Sequence, residues 1–88
     1  MTATERARIS KIIADPTRFR LLQHISERKE CACADVKEDL GVTPATLSHH
    51  LKELEDAGLI TVRREGKYAM MQLRRDVWKA YVKELSAL

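Results

Sequence analysis

Residues 43–67 read TPATLSHHLKELEDAGLITVRREGK, and they decide the fold. Thr43 is a side-chain N-cap, and Pro44 suits the first helical position, where no N–H partner is lost. Leu47, Leu51 and Leu54 follow at helical spacing, which predicts a helix over 44–57 with one apolar edge. Gly58 supplies the stop, and Leu59-Ile60 restart the apolar pattern in extended form. Thr61-Val62-Arg63-Arg64 and Lys67 to Leu73 then read as two strands around Glu65-Gly66, where glycine supplies the positive φ of a tight hairpin. Val62, Met70 and Tyr68 are the expected inward residues of that hairpin.

The flanking sequence completes the architecture. Residues 4–14 predict a short helix with Ile9, Ile12 and Ile13 on one side, ended by Asp15-Pro16 because the residue before proline disfavours α geometry. A second helix over 16–28 presents Phe19, Leu21, Leu22 and Ile25. A third over 33–40 turns Val36 and Leu40 inward, and Gly41 closes it where a helix-turn-helix needs its tight turn. A last helix over 75–86 carries the broad apolar stripe Val77, Trp78, Tyr81, Val82 and Leu85. The expected order is α-α-α-α-β-β-α: one mainly α domain over 1–88 with a small β-hairpin wing at about 60–73, a winged helix-turn-helix.

The chain has 88 residues, 44% hydrophobic and 33% charged, and a formal net charge of +3. That length predicts one domain with a modest core, of the kind oligomerisation often supports. The positive excess is compatible with nucleic acid but too small to establish it. No run approaches the length of a membrane span and no signal peptide is recognisable, so a cytoplasmic protein without a membrane partner is expected, its two cysteines reduced. Two Tyr, one Trp and one Phe are too few for stacking on single strands.

A turn of 100° per residue puts the three leucines of 44–57 on one edge and Ala45, Ser48, His49 and Lys52 on the other. The N-terminal half of such a helix enters the major groove. Ser48 and His49 then suit base edges, Ala45 or Thr46 a thymine methyl, and Lys52 a phosphate or guanine. Thr43 sits at the same end. Arg63, Arg64 and Lys67 at the hairpin are the expected wing contacts to phosphates or the minor groove. The stripe of the last helix, with Ile9 and Ile12, is more apolar surface than a thin core covers, which predicts a homodimer built from helices 4–14 and 75–86.

With these elements in order, the sequence resembles the ArsR/SmtB-type winged-helix repressors of bacteria. The resemblance is carried by Ala14-Asp15-Pro16-Thr17-Arg18, Leu47-Ser48-His49-His50-Leu51, Ala57-Gly58-Leu59-Ile60 and Arg63-Arg64-Glu65-Gly66-Lys67, and covers about residues 10–75. It implies a homodimeric repressor of a double-stranded DNA operator. Many members release DNA when a metal, metalloid or oxidant binds.

Cys31-Ala32-Cys33 is the one run with chemical promise. Two thiols so spaced chelate a soft ion where the backbone is extended or entering a helix, and Arg28, Lys29 and a helix N-terminus are expected to lower their pKa. The resemblance implies a Cys-x-Cys followed directly by Asp; here Ala34 intervenes before Asp35, and the implied ligand positions fall on Ala32 and Ala34. Further donors nearby are His24 and Asp35. Residues 75–86 hold no histidine, so a Zn site there is not expected. Three readings stay open: small residues packed at a helix start, capture of a thiophilic metalloid such as As(III), and thiol oxidation. No cofactor is required.

An enzyme is not expected. Ser48 and His49 are adjacent on a helix and face different ways, and Gly41, Gly58 and Gly66 all sit in turns rather than in a phosphate loop. The rival to DNA binding is a winged helix used only for protein contacts, which the acidic residues Glu53, Glu55 and Asp56 permit.

Overall fold

Eight elements run through the computed structural model, which describes residues 1–88: α1 (Ala3–Ile13), α2 (Pro16–Ser26), β1 (Cys31–Ala32), α3 (Cys33–Leu40), α4 (Pro44–Asp56), β2 (Ile60–Glu65), β3 (Tyr68–Leu73) and α5 (Arg75–Ser86). Helices α1, α2 and α4 begin where side chains close free N–H groups of the first turn, whereas α3 and α5 start without a side-chain cap. Thr2 and Glu5 form a reciprocal capping box on α1. The Asp15 carboxylate accepts from the Arg18 backbone N at 2.9 Å, and the Thr43 hydroxyl accepts from the Thr46 N at 3.2 Å. Proline follows the cap of both α2 and α4.

The end of α4 is a complete Schellman turn. Gly58 has φ +77°, its N donates to the Glu55 carbonyl at 3.0 Å, and the Leu59 N reaches back to Leu54 at 3.1 Å. Both Leu54 and Leu59 are fully buried, the apolar contact that accompanies this motif.

The sheet corrects the expected order by one strand. It has three antiparallel strands in the order β1-β3-β2, with Cys31 opposite Met71 and Ala32 opposite Met70. Val62 also faces Met71 across the hairpin, and Ile60 faces Leu73. Alternation along each strand therefore puts Ile60, Val62, Met71 and Leu73 on one face. Met71 is the fully buried residue, not Met70, and Tyr68 stays 58% exposed. Period two settles this: Tyr68 and Met70 lie one step out of phase with Met71.

One connected core joins the elements: Ile9, Ile12, Leu21, Leu22, Ile25, Cys31, Val36, the three leucines of α4, Leu59, Ile60, Met71, Leu73 and Tyr81. Phe19, expected inside, is 41% exposed. The buried stripe of α2 is Leu21, Leu22 and Ile25, and Phe19 lies more than 100° from its centre at 100° per residue. Arg18 occupies that direction instead, and its Nε donates to the Ile12 carbonyl at 2.8 Å, capping the end of α1.

Asp15 makes this joint pH-dependent. Its carboxyl is held below the usual range chiefly by the backbone hydrogen bond from Arg18; partial burial opposes this, and the charges of Arg18 and His50 reinforce it. A depressed folded pKa stabilises the fold fully above the unfolded value, and that contribution is lost as pH falls through the folded value. Asp15→Ala is expected to cost about 1 kcal/mol at pH 7. The difference from wild type should shrink below about pH 4, as read by urea unfolding at pH 7 and pH 3.

Candidate nucleic-acid interface

Helix α4 separates its two edges cleanly. Leu47, Leu51 and Leu54 are buried, whereas Ala45, Thr46, Ser48, His49 and Lys52 are exposed. Thr43 and Thr46 face one another at the helix start, the Thr43 hydroxyl donating to Thr46 Oγ1 at 2.9 Å. His50 is half-buried, and its charge is felt at Asp15 under the start of α2. It lies beside the packed edge rather than on the open one.

The wing divides its cations by strand parity. Arg64 shares the face of Val62 and lines a cleft of about 360 Å³ between α4 and the hairpin, with Ser48, Lys52, Glu55 and Cys33 on the other walls. Neither Lys52, Arg64 nor Lys67 forms an ion pair. Lys67 sits at the hairpin tip, its ammonium 5.4 Å from the centre of the Tyr68 ring. Arg63, expected with them, is engaged elsewhere. It points to the opposite face, where NH2 meets Glu30 Oε2 at 2.9 Å and Nε meets Glu65 Oε1 at 2.8 Å. The period of two along a strand accounts for the split between Arg63 and Arg64, which were expected to act together; Glu30 as a partner had no signal in the sequence.

The two cysteines occupy different environments. Cys31 is 1% exposed in the core opposite Met71. Burial pushes its thiol pKa up and outweighs the opposing pull of Arg28, which reverses the expected lowering. Cys33 is half-buried at the first residue of α3 and faces the cleft behind Ser48 and Lys52. The further donors are committed to other partners: His24 to Asp39 at 3.1 Å and Asp35 to Arg28 at 3.4 Å. No three His, Cys, Asp or Glu side chains gather where they would hold an ion. A soft ion bound through both thiols would have to reach Cys31 in the core and draw any third ligand from outside this set.

A second surface lies on α2 and α5. Phe19, Val82 and Leu85 are 40–43% exposed, and Phe19, Leu22, Gln23, Ser26 and Trp78 line a shallow apolar groove. Val77 and Trp78 are half-buried against the core. Ile9, Ile12 and Tyr81 lie within the protomer, with the Tyr81 hydroxyl 2.7 Å from Ser10 Oγ. Of the seven residues expected to face a partner, these three are thus covered by the chain itself. No helix is long and apolar enough to cross a membrane.

Comparison with known proteins agrees with this geometry. A family of helix-turn-helix domains matches residues 13–63. The arsenical resistance operon repressor of Staphylococcus xylosus is 38% identical over 76 residues, 86% of this chain and 72% of that one. A crystal structure of an ArsR-family transcriptional regulator superposes with a TM-score of 0.87 over 99% of this chain and 89% of that one; at 20% identity this is a likeness of fold. The homodimeric winged helix-turn-helix DNA-binding domain of a possible ArsR-family regulator from Mycobacterium bovis is 25% identical, with a TM-score of 0.78 over 96% of this chain and 78% of that one.

The burial of the two thiols gives a direct expectation. Ellman's reagent should titrate Cys33 within minutes in the native protein and Cys31 only in denaturant. Equal rates for both in Cys31→Ala and Cys33→Ala single variants would contradict the placement of Cys31 in the core.

Proposed function

Because the chain belongs to the ArsR/SmtB-type family of winged helix-turn-helix transcriptional regulators, we propose that it is a dimeric repressor reading a two-fold symmetric DNA operator. The observation that carries this reading is the open edge of α4 beside unpaired wing cations. Five side chains are exposed in the N-terminal two turns and just beyond, with Arg64 and Lys52 lining one cleft. Ser48 and His49 bond base edges, Ala45 and Thr46 meet a thymine methyl, and Lys52, Arg64 and Lys67 neutralise phosphates, Lys67 from the tip of the wing. Thr43 serves by fixing where α4 begins. Glu55 and Asp56 stand at the C-terminal end of the helix but line the same cleft as Lys52 and Arg64, where they oppose phosphate.

Two copies would present two reading helices about one DNA turn apart. The surface suited to a second copy is the exposed part of α2 and α5: Phe19, Trp78, Val82 and Leu85. Ile9, Ile12, Val77 and Tyr81 support it from behind.

A second reading adds release from DNA by a thiophilic ion such as As(III) at Cys31 and Cys33. What favours it is the arsenical name of a 38% identical relative; what opposes it is the burial of Cys31. The same experiment tests both. Duplexes selected from a random pool, with and without As(III) and peroxide, should converge on a two-fold symmetric site. Failure to enrich any sequence over random duplex would favour a protein-contact module. An As(III) response lost in the Cys31→Ser/Cys33→Ser variant would establish the second reading, and no response in wild type would remove it.

On the selected duplex, Arg64→Ala should weaken binding and lower the slope of log affinity against log salt by about 1 per protomer. Sedimentation at micromolar concentration should give a dimer, and Val82→Glu with Leu85→Glu a monomer.

A further inference from the structure

Arg63 is the wing cation that the proposed reading leaves out, and its two bonds reach unlike places. Glu65 is two residues along on the same strand and face. Glu30 is a long way off in sequence and immediately precedes β1. The register explains how they meet: Arg63 lies opposite Met70, and Met70 lies opposite Ala32. These three residues form one row across the whole sheet, from the edge strand β2 over β3 to the edge strand β1. Two strand spacings, ~10 Å, separate its ends. The Arg63 and Glu30 side chains together bridge that distance and meet at 2.9 Å. Strand β1 itself is only two residues long and pairs with β3 alone.

From this we infer that Glu30 is a positioning residue for the wing, acting through Arg63. It ties the outer face of the hairpin to the segment leading into α3. Resting on the proposed DNA-reading role, this restraint accounts for the place of Arg64 beside α4: with one end of the hairpin fixed by the turn after α4, the Glu30–Arg63 pair restrains its free length. Both partners are partly solvated, so the restraint is a modest one, worth a few-fold and not orders of magnitude. A fork is needed, because two separate donors, Nε and NH2, hold two different carboxylates. A lysine keeps the charge and lacks that geometry.

The test separates positioning from charge. Glu30→Ala removes an acid, which by electrostatics alone strengthens binding to selected and random duplex alike. Positioning predicts instead that the ratio of selected to random affinity falls about two- to fivefold, with the salt slope unchanged. Arg63→Lys should lower the ratio similarly at constant net charge. In the free protein, amide hydrogen exchange at residues 64–68 should quicken in both variants. Unchanged exchange and an unchanged ratio in Glu30→Ala would overturn the inference. So would a salt slope reduced by about 1 in Arg63→Ala, the mark of a direct phosphate contact. A wild type that binds no duplex would overturn the proposed function instead, and the exchange rates would then decide the restraint by themselves.

Discussion

Leu59 is the joint on which the interface depends. Its N–H closes the end of α4 on Leu54 at 3.1 Å, and its carbonyl accepts from the Arg74 N at 2.7 Å, where β3 gives way to α5. One buried residue thus fixes the reading helix, the start of β2 and the exit of β3 together. The arrangement needs the left-handed conformation at Gly58, φ +77°, which a side chain adopts only under strain. Any other ending would leave the hairpin at a different angle to α4, and Arg64 would lose its place across the cleft from Lys52.

From that joint outward, alternation along β2 distributes the charge. A strand cannot send neighbouring residues to one side, so Arg63 and Arg64 serve different ends although they look alike in sequence. Arg64 inherits the inward phase of Ile60 and Val62 and opens on the cleft. Arg63 inherits the outward phase and is neutralised by Glu30 and Glu65. The wing therefore brings less free charge to its inner side than its sequence advertises, and holds the rest in shape. This fits a chain whose net charge is only +3: the cations matter by position rather than by number.

What the sequence revealed, and what it hid, divides by the range of the interaction. Caps, helix spacing and turn glycines are local, and they locate α1 to α5 and the hairpin to within one or two residues. The two edges of α4 are equally legible, since a straight helix has one geometry. Strand β1 was not, because two residues carry no alternation and exist as a strand only through β3. Tyr68 and Met70 were placed inward by their apolar character, while the register with Val62 reserved that face for Met71. Phe19 and Tyr81 exchanged expected roles for a related reason. Hydrophobicity says that a side chain seeks cover but not whether its own chain provides it; Ser10 satisfies the Tyr81 hydroxyl within the protomer, and Phe19 is left at the surface.

The cysteines show the same limit in chemical form. Two residues apart on a strand, they would share one face and one environment; two apart across a strand-to-helix junction, they come to lie in different ones. The junction here falls between them, with Ala32 the last residue of β1 and Cys33 the first of α3. Cys31 consequently follows the inward phase, opposite Met71, where burial favours the neutral thiol. Cys33 follows the helix into the cleft beside Ser48 and Lys52. A centre held by both sulfurs would have to reach Cys31 in the core, under the β1–β3 pairing. Chemistry that demands both thiols is therefore opposed by the burial of Cys31, whereas Cys33 opens on the cleft next to the exposed edge of α4.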